Sequence, residues 1–135
     1  MAKKPTAHTV KVLIIDDDAF LTDIYATQLD LEGFSVISAN DGEEGIKMTR
    51  KEMPDAILLD VRMPKLDGLA TLQRLKEDEK TKAIPVIMLS NSGEKKDIDK
   101  AFAGGAADYL IKVHFAPAET VTKIRKVLEG ARARG

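Results

Sequence analysis

Two hydrophobic patterns alternate along this chain. Five short runs are apolar along most of their length: residues 11–15 (K-V-L-I-I), 34–39 (F-S-V-I-S-A), 56–59 (A-I-L-L), 84–89 (I-P-V-I-M-L) and 107–111 (A-D-Y-L-I). Continuous runs of this length fit strands buried on both faces. Between and after them, apolar residues recur at helical spacing. Leu21, Ile24, Tyr25 and Leu29 mark a helix over 19–32, and 42–52 is a weaker one. Leu69, Leu72 and Leu75 mark 68–78, Ile98, Ala101 and Phe102 mark 95–103, and Val121, Ile124 and Leu128 mark a last helix from Pro117. The breaks agree. Gly33, Gly104-Gly105 and Gly130 are placed to end helices. Asn40-Asp41-Gly42 makes a turn whose Asp41 is suited to cap the following helix. Pro54 and Pro64 bound the third run. Pro85 lies near the start of the fourth, where a missing donor is tolerated, and Pro117 suits a first helical position. Polar 76–82 reads as a loop and 90–93 as a turn. Strand and helix alternating five times predicts an α/β domain with a parallel sheet covered on both faces.

Composition narrows the possibilities. A chain of 135 residues is one domain with room for a core. We expect it over 10–130, between a flexible N-terminal tail (1–9) and a short basic tail (131–135). With 21 Lys and Arg against 22 Asp and Glu, the net charge of −1 gives no electrostatic case for nucleic-acid binding. The absence of Cys excludes disulfides, thiolate metal sites and a Cys nucleophile. No apolar run approaches the ~20 residues a membrane helix needs, and residues 1–9 lack the apolar region of a secretory signal. No membrane insertion is expected.

The candidate chemistry follows from topology. In a parallel sheet every strand ends on the same edge, where α/β sites form. Asp16, Asp17 and Asp18 follow the first run, Asp60 the third, Ser90 the fourth and Lys112 the fifth. Singly these are a turn signal, a polar strand end, a loop serine and a solvated lysine; together they make a site. Mg²⁺ takes oxygen ligands and needs only one or two carboxylates besides substrate phosphate and water. A carboxylate can act as nucleophile and form an aspartyl phosphate. Hydroxyl and ammonium groups can hold the phosphoryl oxygens.

Four segments, L-I-I-D-D-D (13–18), L-L-D-V-R-M-P-K-L-D-G (58–68), V-I-M-L-S (86–90) and A-D-Y-L-I-K (107–112), resemble in order and spacing the receiver domains of bacterial two-component response regulators. The resemblance covers about 11–129. It implies a flavodoxin-like, doubly wound five-stranded sheet in the order 2-1-3-4-5 with five helices. It also implies that Asp60 is the phosphoacceptor and that Asp16 and Asp17 position Mg²⁺ (Mn²⁺ being possible), with Asp17 the more direct ligand. By the same resemblance the backbone carbonyl of Arg62 would complete the metal set, Lys112 would bind phosphate, and Ser90 and Tyr109 would be the switch pair. Asp18 is expected to cap a helix, and Met63-Pro64 and Gly68 match the family's loop after the acceptor. Arg62 and Ser92 stand where the family's side chains flank the phosphoryl group. Neither is a water-orienting carboxylate or amide, so slow hydrolysis is expected, with Arg62 free to cover the phosphoryl group.

The chain departs from the family after Lys112, where Val113 and then His114 replace the usual Pro. A cis Val peptide costs about 3–4 kcal/mol, so a trans Lys112–Val113 bond is expected, with His114 packed or facing solvent. The implied function is phosphorelay signalling in the cytoplasm. A histidine kinase or phosphotransfer protein would be the donor, and a downstream protein the target. With only about five residues after Gly130, a stand-alone regulator without direct DNA binding is expected. It would not be an enzyme beyond catalysing its own phosphorylation and slow dephosphorylation. Two alternatives stay open: a phosphorylation-independent adaptor, and a haloacid-dehalogenase-like phosphatase. Asp16-Asp17-Asp18 contains the latter's D-x-D spacing, but Phe20 stands where that family usually has Thr or Val.

Overall fold

The computed structural model describes residues 9–112 and 116–134, without the side chains of 132–134. In chain order the described residues form β1 (Lys11–Ile15), α1 (Ala19–Leu31), β2 (Ser35–Ala39), α2 (Gly42–Glu52), β3 (Ala56–Leu59), α3 (Gly68–Glu77), β4 (Val86–Ser90), α4 (Lys95–Ala103), β5 (Asp108–Ile111) and α5 (Pro117–Arg134). All strand pairs are parallel, in the order β2-β1-β3-β4-β5. This is the flavodoxin-like arrangement that the resemblance implied.

The apolar runs are continuous because the sheet is buried on both sides. Successive strand side chains point to opposite faces. Leu13, Ile15, Ile57, Leu59, Val86 and Met88 therefore pack in one layer with Leu72, Leu75 and Ala101 of α3 and α4. Val12, Ile14, Leu58, Ile87, Leu89 and Leu110 pack in the other with Tyr25 and Leu29 of α1 and Val121 and Ile124 of α5. Three helices start on aspartate caps: Asp18 accepts from Leu21 N (3.1 Å), Asp41 from Glu44 N (2.9 Å) and Asp67 from Ala70 N (2.9 Å). Gly33, at φ 94°, ends the turn after α1 in a conformation that favours glycine.

Several sequence expectations are corrected. Gly130 does not end the last helix, which runs through Arg134, so the first four residues of the short basic tail continue it. A helical glycine costs about 1 kcal/mol against alanine, but it stops a helix only where the chain turns left-handed. Ile24 and Phe102, counted in the apolar spacing that marks α1 and α4, are 37% and 47% exposed. The buried stripe of α1 is Thr22, Tyr25 and Leu29, and that of α4 is Asp97 and Ala101; each misplaced residue lies one position from its stripe, about 100° round the helix. α1 and α3 end one residue early. β2 and β5 start one residue late, and β4 is shifted to end on Ser90 itself.

Candidate functional site

The register sets the site. Ile15 lies opposite Leu59 and Ala39, so Asp16 and Asp60 emerge side by side from the two central strands at the carboxyl edge. Backbone bonds hold both: Asp16 N donates to Ala39 O (3.1 Å) and Asp60 N to Ile15 O (3.0 Å). Gly68 N donates to Val61 O (2.8 Å), drawing the start of α3 against the end of β3. A Cβ at Gly68 would collide with the Asp60 carbonyl oxygen. Only glycine permits that approach.

Asp16, Asp17 and Asp60 each offer a carboxylate oxygen, all within 4.8 Å of one another. Asp16 and Asp60 are 5% and 8% exposed, while Asp17 faces solvent. Asp18 stands apart as the α1 cap, its N–H donating to Asp16 Oδ1 (2.9 Å). Lys112 reaches in from the end of β5, with Nζ 2.8 Å from Asp16 Oδ2 and 3.6 Å from Asp60 Oδ2. Burial pushes the Asp60 carboxyl up to about 6, with Lys112 pulling it down and the Asp16 charge adding to the rise. Burial acts to lower the Lys112 ammonium, but the Asp16 hydrogen bond and the charges of Asp60, Asp16 and Asp18 outweigh it and hold the lysine above its ordinary range. An all-oxygen set with one solvent-facing member suits a hard divalent cation that keeps part of its water shell.

The second half of the site lies between β3, β4, β5 and α4. Ser90, fully buried at the end of β4, accepts from Ser92 N at 3.2 Å. Tyr109 is 9% exposed, and its hydroxyl donates to the Ser92 carbonyl (2.7 Å). Burial raises the Tyr109 phenol, against hydrogen bonding by Ser92 and Ser90. The Ser92 hydroxyl donates to Asp97 Oδ2 (2.5 Å), and Arg62 Nη2 donates to the same oxygen (2.9 Å). These two partners, Ser92 before Arg62, hold the Asp97 carboxyl below its ordinary range despite its burial.

Asp16, Asp17, Asp60 and Lys112 thus meet as a cluster, and Ser90, Tyr109 and Arg62 lie beside it. One expectation changes. The Arg62 side chain does not cover Asp60: it turns to α4, pairing with Asp97 and, at 3.6 Å, with Glu94. The Tyr109 ring lies inside. Asp97 escaped sequence reading altogether, because one acid among Lys95, Lys96, Asp99 and Lys100 looks like a solvated helix face. The only signal was Arg62, a cation without an assigned partner. The Lys112–Val113 peptide and His114 lie outside the described residues.

Comparison with known proteins gives a consistent picture. A family model described as "Response regulator receiver domain" matches residues 12–125. The chain is 42% identical over 118 residues to the "Probable transcriptional regulator ycf27" of Guillardia theta, covering 87% of this chain and 45% of that protein. It is 40% identical over 118 residues to the "DNA-binding dual master transcriptional regulator RpaA" of Synechocystis, covering 87% and 48%. It therefore spans about half the length of the curated relatives it matches. The crystal structure of the chemotaxis protein CheY4 of Vibrio cholerae superposes with a TM-score of 0.83 at 27% identity, covering 89% of this chain and 99% of that one.

Proposed function

Since this chain belongs to the response regulator receiver-domain family of two-component signalling, we propose that Asp60 accepts a phosphoryl group from the phosphohistidine of a histidine kinase or phosphotransfer protein. The observation that carries this reading is a buried carboxylate within 4.8 Å of two others and 3.6 Å from a buried ammonium. A free Asp60 oxygen attacks phosphorus, and the phosphorus–nitrogen bond of the donor breaks. The imidazole nitrogen keeps the bonding pair and takes a proton from water, leaving an acyl phosphate on Asp60. Asp16, Asp17, Asp60 and the Arg62 carbonyl would hold Mg²⁺ or Mn²⁺, which when bound neutralises developing charge on the phosphoryl oxygens. Lys112 exchanges part of its pairing with Asp16 for a phosphoryl oxygen, and the Ser90 hydroxyl donates to another. The modified protein presents a changed α4–β5–α5 face to a downstream protein. It turns over only its own acyl phosphate.

The relatives' names favour a second form of the same reading, in which the receiver governs a DNA-binding partner or segment. Among the described residues no helix is long and apolar enough to cross a membrane, and a cytoplasmic setting follows from the proposed donor. With a phosphohistidine donor and Mg²⁺, we expect a single equivalent of phosphoryl transfer followed by slow release. Sustained turnover of phosphate monoesters would instead support a phosphatase, and equal partner binding by an Asp60→Ala variant would support an adaptor.

A further inference from the structure

The proposed chemistry uses no charged group of α4, yet one of them, Asp97, is buried to 6% exposure while Lys95, Lys96, Asp99 and Lys100 around it are exposed. A buried carboxylate is unfavourable unless charge and hydrogen bonds compensate it. Here Arg62, from the loop after the acceptor, and Ser92, from the loop after β4, meet on the same Asp97 oxygen. Ser92 in turn uses all three of its polar groups. Its N–H is on Ser90 (3.2 Å), its carbonyl receives Tyr109 (2.7 Å), and its hydroxyl is on Asp97 (2.5 Å).

We propose that Asp97 is a positioning residue that clamps Ser92 and Arg62, holding Tyr109 inward and the Arg62 side chain away from Asp60 before any phosphoryl group arrives. The clamp is a property of the unmodified protein; its role in signalling rests on the phosphoacceptor reading above. When the Ser90 hydroxyl turns to a phosphoryl oxygen, the Ser92 N–H weakens its hold on Ser90. The Asp97 bond then keeps the Ser92 carbonyl in place under Tyr109. Phosphorylation therefore consolidates an inward Tyr109 rather than creating it. A protein without the clamp would depend on phosphorylation to bring the ring in, as expected of an equilibrium between two states.

The chain has two tyrosines, so 3-fluorotyrosine labelling gives two fluorine lines, and Tyr109→Phe identifies one of them. In the wild type without phosphodonor, the Tyr109 line should show the small solvent isotope shift of a buried ring. Asp97→Ala and Ser92→Ala should both move it toward the shift of free fluorotyrosine while the Tyr25 line stays native. Ser92→Thr, which keeps the hydroxyl, should restore the wild-type line. An unmoved Tyr109 line in Ser92→Ala overturns the clamp, even if Asp97→Ala fails to fold; so does a Ser92→Thr line that behaves like Ser92→Ala. Beryllofluoride with Mg²⁺ should return the Ser92→Ala line inward. Failure of beryllofluoride to bind even the wild type would remove the phosphoacceptor reading and leave the clamp standing on the first result.

Discussion

Asp60→Asn removes the charge of a carboxylate that is 8% exposed and next to Asp16, and the metal-free protein should become more stable for it. Burial lifts the folded-state pKa from 3.8 to about 6, with Lys112 opposing and Asp16 assisting. At about 1.36 kcal/mol for each tenfold change in proton affinity, that rise corresponds to roughly 3 kcal/mol. The folded protein holds this proton more tightly than the unfolded chain. Asp60 therefore adds no penalty below about pH 4; the penalty grows between about pH 4 and about pH 6 and is constant above that. Asparagine has the same shape and no charge, but its amide group faces Lys112 less favourably, so we expect a net gain on the order of 2–3 kcal/mol at pH 7.5. Urea unfolding followed by far-ultraviolet circular dichroism, in chelator and over pH 4.5–8, measures it. The gain should shrink toward zero at the acid end. Added Mg²⁺ should narrow it at neutral pH by binding the folded wild type. A gain that does not vary with pH, or a loss of stability at pH 7.5, would show that Lys112 fully compensates the buried charge, and would refute the reasoning.

Three other outcomes are expected. Gly68→Ala places a methyl against the Asp60 carbonyl; urea unfolding should show a loss of about 1–3 kcal/mol, with slower labelling of Asp60, and a variant with wild-type stability would contradict the required close approach. Asp17→Ala should weaken Mg²⁺ binding, followed by titration calorimetry, more than Asp18→Ala does, since Asp17 belongs to the carboxylate cluster while Asp18 caps α1. The acyl phosphate, followed by intact mass after donor removal, should decay slowly, because Arg62 is tied to Asp97 and Glu94 and Ser92 to Asp97, leaving neither to orient an attacking water; a lifetime of only seconds would contradict this.

Much of this architecture is legible in the sequence. Runs such as V-L-I-I and A-I-L-L can be continuous only if both faces are buried, and the parallel topology then brings Asp16, Asp60, Ser90 and Lys112 to one edge without any knowledge of contacts. What escaped depends on angle rather than on residue type. A helix with a narrow buried stripe hides which of two adjacent apolar residues faces inward, so Ile24 and Phe102 were misplaced. Gly130 carries a stop signal that its helix-forming neighbours override. Asp97 reads as an ordinary surface acid until Arg62 and Ser92, 35 and 5 residues away, are seen to converge on it. The resemblance marks Tyr109 as a switch residue, but the bond its hydroxyl makes inside the fold is to the Ser92 carbonyl, which carries no sequence signature.

The central claim is that Asp60 is the phosphoacceptor, and intact mass with peptide mapping tests it most directly. After incubation with acetyl phosphate and Mg²⁺, the wild type should gain a single phosphoryl group that maps to Asp60, and Asp60→Asn should gain none. Stoichiometric labelling of the asparagine variant, or a label mapping to any other residue in the wild type, would contradict the account.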